Sequence, residues 1–580
     1  MRKLFITLTI ISTSTILFSQ EKEKEKNIGT EVVNVVKPYS PTLSDAFKIK
    51  ETPKLDDSVT TAKKKIVYHI FSAPVASTFV PAKGKATGVK RAPRETIYNS
   101  YASLAVGNYN NASADFYTSR ALNRDETLDF SLNHHSSQGG IDGIGLDDKF
   151  FNTKLAAAYN RDDRYADWGV DGSFQHQIYN WYGVPAGYYD ASTLNGIDEK
   201  QSYYTAKVGG DLSIEDSFFT GGGARLRYFF DAYNSGESNV VLTPKFEFPV
   251  GEEWINLDFT FDYLNGKFDR NYFTSQTLNY SNLITKASPS LVILKDNLTI
   301  NLGASVAYKL DIENSDNDIY FYPNITASYR LIEEYVTVYG GLEGDLVQNS
   351  YYGLQEENPY ISPTLDIVPT DKTYDAYVGV KGKFLPNLSY NLRGSYTTER
   401  DKSLFALNPE TGTLNYNTEG YAYANSFGLI YDDINTISVF GELSVDINRD
   451  FQLGINAEVS DYNTDNEEEA WNLPNVKGSL FLDYQINNKW FLGANVFYTG
   501  ERTGLFRTDT GTNPGDSFNM QKVNLDSFFD INASAGYRIN DQFSVYVKAN
   551  NIANNEYSRW SNYLVQGFQV LAGVSYKFNM

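Results

Sequence analysis

Residues 254–264 read Trp254-Ile255-Asn256-Leu257-Asp258-Phe259-Thr260-Phe261-Asp262-Tyr263-Leu264. Apolar side chains stand at 255, 257, 259, 261 and 263, and polar side chains occupy the positions between them. An apolar period of two residues is typical of a β-strand with one dry and one wet face. A helical period of 3.6 residues would place Asp258 and Asp262 in the apolar stripe, so this stretch predicts a strand.

The same alternation returns along the chain from about residue 97, notably over 298–308 and, at the C-terminus, over 568–578. The apolar rows extend over about ten to fourteen residues, which is longer than strands of soluble sheets and sufficient to cross a bilayer at a tilt. Two architectures produce such strands: a large extracellular sandwich protein, or a membrane barrel with lipid outside and water inside. The spacing of the turns distinguishes between them.

Connections between the predicted strands alternate in length. Short turns are predicted at 161–163, 250–252, 295–297, 332–334, 385–387, 448–450, 487–489 and 540–542, and longer polar connections at 179–200, 346–371, 408–424, 461–470, 502–524 and 553–565. Bacterial outer-membrane barrels combine short periplasmic turns with long external loops. The count is about 22 strands, an even number that leaves both barrel ends on the short-turn side. The sequence therefore predicts an all-β fold, a transmembrane antiparallel β-barrel over 96–580.

The N-terminus has the pattern of an export signal. Met1-Arg2-Lys3 precedes an apolar run from Leu4 to Phe18, and Ser19-Gln20 leads into a charged stretch. This predicts a secretory signal peptide over 1–20. Repeated prolines then interrupt 21–95, which predicts a short, extended N-terminal segment in the periplasm or the lumen.

Composition excludes several classes of function. The chain has 50 Lys and Arg against 71 Asp and Glu, a net charge of −21, and no cysteine. An acidic chain is a poor partner for nucleic acid, and thiolate chemistry is excluded. No nucleophile elbow, His-Glu-x-x-His motif or phosphate-binding glycine loop occurs. We therefore predict no enzymatic activity, cofactor or metal. Aromatic residues make up 15% of the chain, which fits aromatic girdles at two membrane interfaces.

The C-terminal region resembles a known family. The Asn-rich stretch 547–557, the final stretch 567–578 and the strand 529–537 are similar to the closing strands of TonB-dependent receptors. The resemblance implies outer-membrane lipid as surroundings, a periplasmic N-terminus, and Tyr576 and Phe578 as part of the signal read by the barrel-insertion machinery. The Ser-Gln cleavage site is similar to that of Bacteroidetes-type chains. Family members carry a folded plug domain, whereas 21–95 does not resemble one, so the sequence predicts a barrel without a plug.

One N-terminal run resembles the TonB box, which adds as a strand to a periplasmic TonB-type energy-coupling protein. The run consists of Glu31, Val32, Val33, Asn34, Val35 and Val36. A β-branched, extended run is suited to strand addition, although a plain strand without a partner is the alternative. The rest of 21–95 is basic, with Lys and Arg between 63 and 94, and many predicted lumen positions are acidic. Opposite charges favour the hypothesis that this segment occludes the lumen; a mobile tail that binds another protein is the alternative.

Other candidate sites are weaker. His134 and His135 are adjacent on a predicted strand, so their side chains point to opposite faces and chelate a metal poorly. The acidic stretches 311–318 and 465–469 offer oxygen ligands for calcium, but solvated loops explain them as well. Loop aromatics are interpreted either as sugar-stacking residues or as members of the upper girdle; they are Trp181, Tyr182, Tyr188, Tyr189 and Trp560.

Two functions remain open. The first is nutrient uptake across the outer membrane by a barrel that resembles a TonB-dependent receptor. The second is a plugless, non-transporting barrel that serves as a structural subunit of an outer-membrane assembly or secretion complex, in contact with surface lipoproteins. Dependence on the proton-motive force would indicate the first, and stoichiometric co-purification with partner proteins the second.

Overall fold

The computed structural model describes residues 96–580, apart from 252, 415–416, 449, 511–514 and 516–517. The signal peptide predicted over 1–20 and the N-terminal segment over 21–95 lie outside the described residues. The described residues include two short helices, α1 (Ala191–Leu194) and α2 (Tyr351–Glu357). Neither has the length and apolar character needed to cross a membrane.

The other elements are strands, listed here in chain order. They are β1 (Ser100–Gly107), β2 (Ala112–Ala121), β3 (Glu126–Ser137), β4 (Phe150–Asp162), β5 (Ala166–Asn180), β6 (Lys200–Ile214), β7 (Phe219–Asp231), β8 (Gly236–Val250), β9 (Glu253–Phe268), β10 (Leu278–Lys295), β11 (Leu298–Asp311), β12 (Asp316–Ile332), β13 (Val336–Val347), β14 (Thr370–Leu385), β15 (Leu388–Leu407), β16 (Phe427–Asn448), β17 (Phe451–Thr464), β18 (Val476–Gln485), β19 (Trp490–Thr499), β20 (Arg502–Asp509), β21 (Phe518–Leu525), β22 (Phe528–Arg538), β23 (Phe543–Asn550), β24 (Ser558–Trp560), β25 (Tyr563–Leu564) and β26 (Gln569–Phe578).

The strands close into a 22-stranded antiparallel barrel, which confirms the predicted fold and strand count. Strands β1 to β19 pair in chain order, β19 pairs with β22, and β23 pairs with β26. Closure is made by β1 and β26, with Ser100 opposite Phe578. A closed sheet pairs its backbone groups internally, which is the condition for a β-structure in lipid.

Among the strands that the structure describes, β20, β21, β24 and β25 lie outside the ring. The hairpin β20–β21 occupies Arg502–Leu525, nearly all of it in the stretch 502–524 that the sequence predicts only as a polar connection. Its one strand pairing with the described ring joins Phe506 to Leu407, and Leu505 packs beside Leu404 and Ile434. The small hairpin β24–β25 lies between β23 and β26. Both belong to long connections, because the sequence pattern there gives no amphipathic row long enough to join the ring.

The two faces of the wall follow the predicted alternation. In β9, Phe261 and Tyr263 face outward with 38% and 37% of their surface exposed, while Leu264 faces the lumen and is fully buried. Asp262 also faces the lumen, where it accepts a hydrogen bond from Asn239 at 2.6 Å. The outer face is therefore apolar and the inner face polar, as a water-filled membrane barrel requires.

Aromatic side chains gather on the outer face near both rims. Toward the long loops, a row of rings crosses β3 to β7 with centroid spacings of 4.6–5.2 Å; its members are His134, Phe151, His176, Tyr204 and Phe230. Toward the short turns, Tyr159 packs on Trp168 at 5.4 Å and Trp490 on Tyr537 at 4.9 Å. These two belts are the girdles expected from the aromatic content.

Candidate functional site

The long loops fold inward over one mouth of the barrel. We call this layer the loop cap and define it as the loops 138–149, 181–199, 269–277, 348–369, 408–426 and 551–568. In the part of the chain that the structure describes, the opposite rim carries short turns and both ends of the ring, Ser100 and Phe578. The cap therefore closes the end of the barrel that lies farthest from the chain termini of the ring.

Contacts within the loop cap join opposite sides of the ring. The loops 181–199 and 408–426 start from β5 and β15, ten positions apart in a ring of 22 strands. Asn425 nevertheless donates from its Nδ2 to the carbonyl of Trp181 at 2.8 Å, and the rings of Trp181 and Tyr421 lie 5.3 Å apart. Two loops rooted about half a circumference apart can touch only by spanning the mouth.

An aromatic core holds the loops together. Tyr360 stacks on Tyr563 with 3.6 Å between ring centroids, and Tyr182 packs edge-on against Tyr563 at 4.9 Å. The same cluster includes Phe427 and Trp560, at 0% and 8% exposure. Burying aromatic surface of this extent stabilises a closed arrangement of loops that would otherwise be solvated.

Tyrosine hydroxyls connect one loop to the backbone of another. Tyr272 donates to the carbonyl of Pro409 at 2.7 Å, Tyr182 donates to that of Leu564 at 2.8 Å, and Tyr563 donates to that of Asn425. Burial raises the pKa of the Tyr182, Tyr272 and Tyr563 hydroxyls, so each remains a protonated donor. The cap thus satisfies otherwise unpaired loop carbonyls internally.

Helix α2 rests against the inner wall formed by β6 to β10, although its loop is rooted at β13 and β14. Glu237, which is fully buried, accepts the backbone N–H of Tyr351 at 2.6 Å and the hydroxyl of Tyr280 at 2.8 Å. Arg227 donates to the same carboxylate at 3.2 Å. The carboxylate lies at the first turn of α2, where unpaired N–H groups favour an anion.

A second buried carboxylate holds the other end of the Tyr351 side chain. The Tyr351 hydroxyl donates to Asp231 at 2.8 Å, and Gln201 donates to the same oxygen at 3.3 Å. Tyr351 is fully buried between the rings of Phe229 and Phe268, at 5.0 and 4.9 Å. We call Asp231, Glu237 and Tyr351 the α2 anchor, because these residues fix α2 to the wall.

The lumen wall is charged with both signs. Lys309 pairs with Asp318 at 2.8 Å and Arg393 with Asp375 at 3.2 Å. The acidic residues expected at inward positions are present, but lysines and arginines alternate with them across neighbouring strands. Among the described residues, no group of three or more His, Asp or Glu side chains could hold a metal ion.

Several residues singled out from the sequence lie on the side of the barrel wall that the strand alternation predicts. His134 belongs to the outer aromatic row, and His135 on the opposite face bonds Asn111 at 3.1 Å inside the barrel. Tyr576 and Phe578 are both in β26, stacked at 5.5 Å. The TonB-box-like run Glu31 to Val36 lies outside the described residues. The acidic stretches are engaged by protein groups: Asp311 accepts from Asn314 at 2.8 Å, and Lys522 pairs with Glu469 at 2.7 Å.

The loop cap is not apparent from the sequence. Trp181, Tyr182 and Trp560 are at most 8% exposed and form its interior, so neither the girdle nor the sugar-stacking interpretation holds for them. Of these loop aromatics Tyr188 stays open, at 65% exposure. The available signal was the density of aromatic residues in 179–200, 408–424 and 553–565, which is high for solvated loops; 346–371 gave no such signal.

Comparisons with known proteins concern the fold. No family model and no curated protein matches the chain. The pyoverdine outer membrane receptor FpvA of Pseudomonas aeruginosa PAO1 is 14% identical with a TM-score of 0.60, covering 84% of this chain and 79% of that one. The FrpB iron transporter of Neisseria meningitidis (F3-3 variant) is 12% identical with a TM-score of 0.61, covering 84% and 82%. The siderophore receptor PirA of Acinetobacter baumannii is 12% identical with a TM-score of 0.61, covering 84% of this chain and 81% of that one. At these identities the likeness shows the fold, that of an outer-membrane receptor barrel.

Proposed function

We propose that this chain is an outer-membrane receptor of the TonB-dependent type, which takes up a nutrient and uses the loop cap as its gate at the cell surface. The observation that carries the proposal is the bridge from Trp181 to Asn425, which spans the mouth of a barrel whose lumen is polar. The likeness to barrels described as receptors and as an iron transporter supports the same function. Short turns face the periplasm in bacterial barrels, so the loop cap faces outward in this assignment.

The N-terminal region completes the proposal. Residues 1–20 direct export, and the run Glu31 to Val36 pairs with a TonB-type coupling protein in the periplasm. This assignment is supported by the β-branched composition of the run and its distance from the ring in sequence. In the same proposal the basic segment 21–95 adds to lumen closure.

Permeability of proteoliposomes tests the gate. Liposomes that contain the purified full-length chain are placed in stachyose, and the swelling rate measures the open pore. We expect low swelling for the native chain and a severalfold higher rate when 348–369, including α2, is replaced by a short Gly-Ser linker. A variant that lacks 21–95 separates the contribution of the N-terminal segment. Unchanged swelling in the loop variant, with the barrel still folded, contradicts a gate at the loop cap.

The alternative function, a structural subunit of an outer-membrane assembly or secretion complex, is supported by the tight packing of the loop cap. Pull-down from native membranes separates the two. Recovery of surface lipoproteins or other barrels in stoichiometric amounts favours the subunit. Recovery of a TonB-type protein that is lost when Val33 and Val35 are replaced by proline favours uptake, because proline removes the N–H donors of strand pairing.

A further inference from the structure

A polar recess opens on the lumen wall below the loop cap. It has a volume of about 360 Å³ and lies on β1 to β5, β23 and β26. This size is at the lower end of the range of small-molecule sites, that of a monosaccharide-sized ligand. Lys154, Lys548, His135 and the amides of Asn133, Asn152, Gln175 and Asn550 line it.

The recess exists because the inner face of β1 carries small side chains. Successive inward positions of β1 are Ser103, Ala105 and Gly107. A Cβ added at Gly107 would meet the carbonyl oxygen of Val570 at 2.3 Å, so this position excludes any larger residue. Because the inward side chains of β1 are small, a hollow remains between β23, which carries Lys548, and the strands β2 to β5.

Cross-strand register places the polar groups on the far side of the hollow in rows. Asp115, Asn133, Lys154 and Gln175 are successive partners across β2, β3, β4 and β5. In the next row toward the loop cap, His135 is paired with Asn152. Side chains at directly paired positions stand side by side on one face, so these groups converge on one ligand-sized space.

The positive charges of the recess exceed the negative ones. Neither Lys154 nor Lys548 forms an ion pair with a carboxylate in the described part of the chain. Asp115 is the acidic residue of the lining, and it accepts a hydrogen bond from Asn133 at 2.9 Å. Two ammonium groups against one carboxylate form a local excess of positive charge in a protein whose net charge is −21.

The amides supply the second part of the recognition. Gln175 donates to Asn152 at 3.0 Å, which leaves the Asn152 Nδ2 and the Gln175 Oε1 without a hydrogen bond to any residue that the structure describes. An amide offers both donors and an acceptor, which matches the hydroxyl groups of a polyol. A lysine ammonium offers a charged donor to a carboxylate.

We propose that this recess is a binding subsite for a small hydroxylated carboxylate, of the chemical class of sugar acids, on its way through the lumen. Lys154 and Lys548 bind the carboxylate, and Asn152 and Gln175 bind the hydroxyls. The inference deepens the proposed uptake function and rests on it for its physiological meaning. The binding itself is a property of the wall and is measured without transport.

Calorimetric titration of the detergent-solubilised full-length chain tests the subsite with three probes. Glucuronate carries the carboxylate and the hydroxyls, glucose lacks the charge, and acetate lacks the hydroxyls. We expect glucuronate to bind at one site at least tenfold more tightly than either of the other probes. Glucose or acetate binding equally well overturns the assignment of the ligand class, and the absence of glucuronate binding overturns the site.

Matched variants locate the binding. Lys154→Gln and Lys548→Gln are each expected to weaken glucuronate binding about tenfold, the effect of losing one charge-assisted hydrogen bond. Lys381→Gln is the control, because Lys381 lies over the Tyr339 ring at 5.2 Å, as Lys548 lies over Tyr546 at 5.3 Å, but outside the recess. Equal losses in all three variants overturn the site. Ala105→Met fills the hollow without a change of charge and is expected to abolish binding.

The outcome is independent of the gate. Glucuronate binding with unchanged stachyose swelling in the loop variant would retain the subsite and remove the proposed gate. Increased swelling without glucuronate binding would retain the gate and remove the subsite.

Discussion

Removal of the negative charge from Glu237 should release α2 from the wall while the ring stays intact. In Glu237→Gln one carboxylate oxygen becomes an NH₂ group that faces donors, the Tyr351 N–H at 2.6 Å and the Tyr280 hydroxyl at 2.8 Å. Charge-assisted hydrogen bonds are about twice as strong as neutral ones, so weakening two of them costs about 2 kcal/mol in the docking of α2. That corresponds to an increase of about 30-fold in the open fraction of the loop.

The absence of cysteine provides the assay. In a Leu354→Cys background the single thiol sits on α2 at a position that is 4% exposed, so maleimide labelling reports local opening. We expect Glu237→Gln to accelerate labelling by about 30-fold and Tyr351→Phe, which loses the bond to Asp231, by about tenfold. Glu334→Gln is the control, since the exposed pair of Glu334 and Lys383 lies at the short-turn rim.

Equal labelling rates with and without Glu237→Gln would show that the carboxylate does not hold α2 against the wall. Loss of heat-modifiable mobility on a denaturing gel, together with fast labelling, would place Glu237 in the stability of the ring instead of the anchor.

Two further predictions concern the bridge and the closing strand. Asn425→Asp replaces a donor with a carboxylate that faces the carbonyls of Trp181 and Gly420. We expect this to destabilise the loop cap by about 3 kcal/mol and to accelerate hydrogen exchange in 181–199 and 408–426. Unchanged exchange would contradict the bridge. Tyr576→Ala and Phe578→Ala should each lower the fraction of chain assembled in the outer membrane. Lys577→Ala, on the inner face of the same strand, is the control for this assembly, and an equal loss in all three would contradict a specific insertion signal.

The sequence carried most of the information about the ring. Period-two rows such as 254–264 state which residues face lipid and which face water, because a strand alternates faces at every residue. Turns of two to four residues between those rows make consecutive strands antiparallel neighbours. The even number of strands brings both ends of the ring to the same rim, where the first and last strands close it. Most strands of the ring pair with the next strand along the chain, so short stretches suffice to predict their neighbours; the exceptions are the pairs β19–β22, β23–β26 and β1–β26.

The loop cap and the recess, in contrast, depend on contacts between segments that are distant in the sequence. Asn425 and Trp181 are 244 residues apart, and nothing in either segment names the other; only closure of the ring brings their loops over one mouth. From the sequence, Glu237 cannot be distinguished from the other acidic residues predicted to face the lumen. Its burial is visible only in the folded chain, where α2 packs on it. The row from Asp115 to Gln175 likewise depends on strand register, which the sequence pattern leaves free by two residues.

The sequence by itself thus determined a closed barrel of about 22 strands with an apolar exterior, since alternation and turn spacing are properties of short stretches. The tertiary structure alone decided how the mouth is closed and where Lys154 and Lys548 share one space. The physical reason is that contacts between loops and across the lumen depend on the curvature and register of the whole ring, which no single strand encodes.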